Sequence, residues 1–246
     1  MKNQTKNLIE NYLNLPLEDK KISCPYFNNK KNNSRAGLRV LVGKGLAKEI
    51  VEETKILALK QKINLNNIND EDLKKFLVEN NLGIDCSGFV YHILKSENKN
   101  LKLYYPQAKF LFRKLLIKLR PAENTSVKVI DHKKNSTKIN LKEAEENNFI
   151  ISLNGGTQKN YNHIIYIENI LKENDKIKQI NYIHSFKWPE DGQYKHGVRR
   201  GKIKITDENK NILEQDWIEQ NKTGNENWTL KYLKTAEQIK IKKLVN

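Results

Sequence analysis

The stretch of this chain best suited to covalent chemistry is Gly83-Ile84-Asp85-Cys86-Ser87-Gly88-Phe89-Val90. Asp85 is a good helix N-cap, because its carboxylate can accept the free N–H groups of a first turn. Cys86 then falls at the first helical position, where the positive end of the helix dipole favours a thiolate. Gly88 is a poor helix former, so its place in a first turn predicts a close approach of some other group to the backbone. Phe89, Val90, Ile93 and Leu94 supply one apolar face and predict a helix buried along most of its length. A fixed, electropositive and partly open cysteine is what nucleophilic catalysis requires. The same position also suits a small buried core residue.

Two histidines on β-rich runs are candidate partners. His163 opens Asn162-His163-Ile164-Ile165-Tyr166-Ile167-Glu168, and His184 lies in Tyr182-Ile183-His184-Ser185-Phe186. Neighbouring antiparallel strands can bring the two side by side. His196 is a second candidate for the place of His184. The Asp-Cys-Ser-Gly string resembles the signature of the NlpC-type cysteine peptidases, papain-like enzymes that cut the peptide part of bacterial cell walls. The resemblance covers roughly residues 83–205 and a short piece near Tyr26. It implies that Cys86 is the nucleophile, that His163 takes its proton and later protonates the leaving amine, and that His184 holds one nitrogen of His163. On this reading the sulfur at the helix mouth faces both imidazoles. The family also carries a Pro-Tyr pair before the cysteine, which Pro25-Tyr26 resembles. Tyr26, Asp85 and Ser87 are therefore the residues expected around substrate and oxyanion, together with the N–H of Cys86.

The chain departs from the family pattern at several points. Asn28 and Asn29 stand where glycines are usual, and an insertion through Leu82 separates Tyr26 from the cysteine. Asn147-Asn148 replace a Gly-Asp pair, and the spacing from Cys86 to His163 is long. These changes should reshape the substrate cleft.

The elements that must position these residues can be read in order. Residues 1–21 form an amphipathic helix ended by Pro16, and 22–27 an extended piece followed by a loop over 28–34. Helices are predicted over 46–63, from a cap at Asn69 or Asp70 through Leu77, and from Cys86. A further helix, 106–119, has an apolar face of Phe110, Leu111, Leu115 and Leu116 and a basic back. Residues 120–140 read as loop or weak strand and 141–146 as a short helix. Strands are predicted over 149–153, 163–167, 180–186 and 197–205. A helix is predicted over 213–219, and the tail from Trp228 to Val245 could add a strand. Helices first and antiparallel strands later predict an α+β fold. With the resemblance, the expectation is a papain-like fold, its nucleophile helix packed on an antiparallel sheet. Residues 1–82 would be a helical N-terminal region, 83–207 the catalytic core and 208–246 a C-terminal extension of the same domain.

Lysine and arginine number 45 against 29 acidic residues, a formal net charge of +16. That balance favours polyanions such as nucleic acid, anionic wall polymer or acidic lipid, and equally describes a solvated lysine-rich surface. Two cysteines are too few for a disulfide scaffold, and neither lies in a paired metal motif, so no cofactor is expected. No run approaches a membrane helix in length. Met1 to Leu17 lacks the apolar stretch of a secretory signal, so the expectation is a cytoplasmic monomer, with export by another route open. The expected function is a thiol hydrolase acting on an amide or isopeptide bond, by resemblance in peptidoglycan stem peptides. The alternatives are a non-catalytic basic binding protein on the same fold and an acyltransferase.

Overall fold

The computed structural model describes residues 1–17, 19–29 and 38–245. Most of the expected loop over 28–34 lies outside these. Helices α1 (Asn3–Leu13), α2 (Ala47–Lys60), α3 (Asp70–Glu79) and α4 (Cys86–Glu97) come first. Apolar residues recur at helical spacing and bury one stripe in α2 (Ile50, Val51, Thr54 and Ala58) and in α3 (Leu73, Phe76 and Leu77), whereas α4 is buried all round from Cys86 to Leu94. Asn69 caps α3 by accepting from the N–H of Asp72 at 2.8 Å. Helix α1 packs on α4, with the rings of Tyr12 and Phe89 edge to face at 5.3 Å.

The helix predicted from Pro106 starts only at Leu111, as α5 (Leu111–Leu119). It is followed by two short helices, α6 (Pro121–Asn124) and α7 (Val127–Asp131). The strands are β1 (Ser136–Ile139), β2 (Phe149–Gly155), β3 (Tyr161–Glu173), β4 (Lys176–Phe186), β5 (Gly197–Lys204), β6 (Asp216–Glu219), β7 (Lys222–Thr223) and β8 (Gln238–Leu244), with α8 (Trp228–Leu233) before the last. They form one eight-stranded antiparallel sheet in the order β1-β8-β2-β3-β4-β5-β6-β7. The architecture is therefore α+β. Among the described residues no helix is long and apolar enough to cross a membrane.

Strand alternation divides the core in two. Phe149, Ile151, Ile164, Tyr166, Ile183 and Val198 face the helices and share a cluster with α1 to α4. Ile150, Ile165, Ile167, Ile180, Tyr182, Ile203 and Trp217 face the other way, into a second cluster closed by Leu230 and Leu233 of α8. Buried on both sides, β2 and the middle of β3 are apolar without alternation.

Residues 213–219 are not a helix. A short 3-10 turn leads into β6, where Ile203 pairs with Trp217 and Lys202 with Ile218. The reason is the edge of β5, whose unpaired N–H and C=O groups find partners in this segment. Period-2 alternation then turns Trp217 and Glu219 inward together, both buried. The tail does supply a strand, and β8 lies between β1 and β2, not at an edge.

Candidate active site

Asp85 caps α4 as expected, its Oδ1 accepting from the Gly88 N–H at 2.6 Å. The group that closes on Gly88 is Lys44: a β-carbon at residue 88 would meet Lys44 Cδ at 2.8 Å and the Gly43 carbonyl at 3.1 Å. Lys44 Nζ donates to Asp85 Oδ1 at 2.8 Å, to Ser87 Oγ at 2.6 Å and to the Thr125 carbonyl at 2.9 Å. Asp85 Oδ1 and Ser87 Oγ, of residues expected beside the substrate, thus help hold the start of α4. Lys44 has no counterpart in the sequence reading, because it lies within the insertion.

Cys86 reaches the sheet through a gap. Ile167 donates to the Asn148 carbonyl and accepts from the Asn147 N–H, so odd-numbered residues of β3 hydrogen-bond toward β2. Even-numbered residues therefore point toward β4. Pairing between β3 and β4 stops at Tyr166 and Ile183, which leaves Ile164 and Asn162 with an open edge. The start of α4 fills it. Ser185 Oγ donates to the Ile84 carbonyl at 2.8 Å, and Cys86 Sγ lies 4.0 Å from the Asn162 carbonyl. The N–H groups of Ile164 and Ser87 point at the sulfur.

The imidazoles meet each other. His163 Nε2 lies 2.8 Å from His184 Nδ1, and His184 Nε2 lies 2.9 Å from Glu219 Oε2. Both rings share the face of Ile165 and Tyr182, opposite the face that carries α4. The expectation that the sulfur faces both rings across one side of the sheet is corrected accordingly: the sulfur approaches the backbone on either side of His163 through the splayed edge. No hydrogen bond joins Cys86 to His163, and His163 Nδ1 is buried without a partner. One proton must lie in each of the two short contacts. With Glu219 ionised, the neutral arrangement puts a proton on His184 Nε2 and one on His163 Nε2, so that His163 Nδ1 carries a lone pair. Phe186 and Trp188 wall the His163 ring at centroid distances of 4.4 and 5.9 Å.

Glu219 is the residue that sequence reasoning missed. Burial acts to raise its carboxyl, but His184, Arg199 and the Tyr182 hydroxyl override burial and bring it down to about 2. Tyr182 Oη donates to Glu219 Oε2 at 2.7 Å, and Thr229 Oγ1 to Oε1 at 2.9 Å. The only sequence signal was inward alternation of Trp217 and Glu219 in a segment read as helix.

The electrostatics correct another expectation. Burial pushes the Cys86 thiol up to about 12, Asp85 adds to it, and Lys44 with the two N–H groups only partly offsets them. Burial, His184 and Arg199 hold His163 well below the usual histidine range. Burial thus works against both the thiolate at Cys86, which is only 5% exposed, and the imidazolium at His163.

Tyr26 does come to the site. It bridges Ile84 and packs at 5.5 Å on Phe186, and its hydroxyl feels Cys86 and Asp85 and is held well above its ordinary range by burial first. His196 stands apart from the relay; its Nδ1 accepts from the Tyr26 N–H at 3.1 Å. Among the described residues no group of three or more histidines, cysteines or carboxylates is placed to hold a metal ion. Comparison of the chain with known protein families, curated proteins and solved structures finds no match.

Proposed function

We propose that this chain is a thiol hydrolase with a papain-like fold that cleaves an amide or isopeptide bond through Cys86, His163, His184 and Glu219. One observation carries the reading: a buried carboxylate–imidazole–imidazole relay ends on an unpaired nitrogen, next to a strand edge occupied by a lone thiol. A base must keep one ring nitrogen open, and His163 Nδ1 is such a nitrogen at the end of the relay.

The steps follow from the proton positions. Cys86 Sγ–H passes its proton to His163 Nδ1 as sulfur bonds to the carbonyl carbon of the substrate. The carbonyl π pair moves to oxygen, where the N–H of Cys86 and the Tyr26 hydroxyl are the donors at hand. His163 becomes a cation, stabilised through His184 by Glu219. Collapse of the adduct breaks the C–N bond, and the leaving amine takes the proton from His163. Water, deprotonated by the same nitrogen, then releases the acid and restores the thiol. By the resemblance of Asp85-Cys86-Ser87-Gly88 the substrate is a peptide stem of bacterial cell wall.

The test is release of new amine from purified peptidoglycan fragments, followed by mass spectrometry. Cys86→Ala should abolish it and Glu219→Gln should lower kcat about a hundredfold or more, with the acid limb of the pH profile displaced. Full turnover by Cys86→Ala would end the reading. So would salt-sensitive polyanion binding, unchanged in Cys86→Ala, with no turnover of any amide. Transfer of the acyl group to an added amine in preference to water would turn the hydrolase into an acyltransferase on the same residues.

A further inference from the structure

Helix α5 has the apolar face expected of it, and that face is turned to the outside. Phe110, Leu111, Phe112, Leu115 and Leu119 are exposed, Leu111 by 84% and Phe112 by 71%. Ile117 is the only buried residue of the helix. At ~100° per residue, the side chains of Leu111, Phe112, Leu115, Leu116 and Leu119 fall within an arc of about 140°. Ile117 lies opposite the middle of that arc, so the apolar face points straight away from the protein. Lys114 and Lys118 border the arc on one side and Arg113 on the other, all exposed. From Lys99 to Ala122 the chain has no acidic residue.

We propose that α5 is a membrane-docking helix that lies flat in the headgroup layer of an anionic lipid bilayer. An outward apolar face with cations along both borders is the pattern of interfacial helices, in which side chains enter the acyl boundary while lysine and arginine reach phosphates. Charge decides against a second copy of this chain as the occupant. Pairing two such faces would bring both sets of cations together on molecules of formal charge +16. A groove on a protein takes anchors at i, i+3, i+4 and i+7, which Phe112, Leu115, Leu116 and Leu119 would supply, but it would leave Leu111, the most exposed of the set, uncovered. An anionic bilayer meets the apolar arc and the cationic borders at once. The helix also runs directly into α6, after which the Thr125 carbonyl accepts from Lys44 beside the nucleophile. Docking would therefore hold the candidate site close to the lipid surface.

The experiment is flotation of the full chain with vesicles of phosphatidylcholine alone or of about three parts phosphatidylcholine to one part phosphatidylglycerol. Wild type should float with the anionic vesicles, less so as salt rises, and not with the neutral ones. Leu111→Ser with Phe112→Ser should weaken binding about tenfold or more, at unchanged net charge. Lys114→Glu with Lys118→Glu should weaken it as well. In Phe112→Trp, the added indole should shift its emission to the blue on anionic vesicles only. Because these side chains are exposed, the variants should keep the wild-type circular dichroism. Equal flotation of the serine variant would reduce the effect to bulk charge and overturn the proposal. So would absence of binding by wild type, or a wild-type dimer that the serine variant converts to monomer. None of these readouts depends on Cys86, so they stand or fall apart from the catalytic reading.

Discussion

Lys44→Met is the substitution whose cost the structure fixes most tightly. The ammonium has three donors and meets three acceptors, Asp85 Oδ1, Ser87 Oγ and the Thr125 carbonyl. Its side chain is 8% exposed and that of Asp85 10%. Were the pair exposed, it would contribute about 0–1 kcal/mol. Buried as it is, removing one partner leaves an uncompensated carboxylate, which costs about 3–5 kcal/mol. Methionine keeps the stem against Gly88, so packing loss adds little. For a chain of this length each kcal/mol lowers Tm by about 2–4 °C, so Lys44→Met should lose about 10 °C. Asp85→Asn retains an N-cap acceptor but leaves the lysine unpaired. The double substitution removes both charges and should recover at least about 2 kcal/mol relative to the sum of the singles. Urea and thermal denaturation of the four proteins, followed by circular dichroism and tryptophan emission, supply the cycle. A loss below about 1 kcal/mol for Lys44→Met, or a double variant no better than additive, would refute the assignment of this pair as the buried anchor of α4.

Two further outcomes follow from the buried titrating groups. Alkylation of Cys86 by iodoacetamide should be slow at neutral pH and climb steadily with pH, because burial holds the thiol near 12; Cys86 should still react before the fully buried Cys24. A reaction rate that levels off with a midpoint below about 7 would instead reveal a standing thiolate–imidazolium pair and exclude the neutral resting state. Stability should fall on acidification. Burial depresses His92 to about 4 and His163 well below its ordinary value, so both stay neutral in the fold while the unfolded chain takes up protons below pH 6.5. Their contribution is complete above that pH and is lost as pH falls toward 4, by about 3 kcal/mol for His92 alone. An unchanged urea midpoint between pH 7 and 4.5 would contradict it.

The helix that carries Cys86 was legible because its signals are local. A cap, a thiol and an apolar stripe sit within a dozen residues, and the helix they form does not depend on distant chain. The strands of His163 and His184 were legible for the same reason, as dense runs of branched and aromatic residues. What escaped was set by neighbours far along the chain. Alternation fixes which face a strand residue takes, but the face that receives α4 is decided by packing, so the rings fell on the side opposite to expectation. The helix read over 213–219 became β6 because an open sheet edge outweighed weak local preference. The apolar face of α5 was visible, yet periodicity cannot say whether such a face turns inward or outward.

The position of Arg199 shows why the relay needs the late strand. A carboxylate fully neutralised by a guanidinium could not stabilise a cation two rings away. Arg199 hydrogen-bonds Asp191 through both terminal nitrogens, while its nearest approach to Glu219 is 3.6 Å. Asp191 thereby takes most of its charge, and His184 at 2.9 Å is the closer basic partner of Glu219. Both carboxylates are buried and screened little by solvent, so that difference in distance counts. In the proposed mechanism the charge of Glu219 attracts the proton leaving Cys86. A base that is itself neutral and desolvated gains driving force only from such a partner. In the proposed mechanism the chain supplies it at residue 219, more than a hundred residues beyond Cys86.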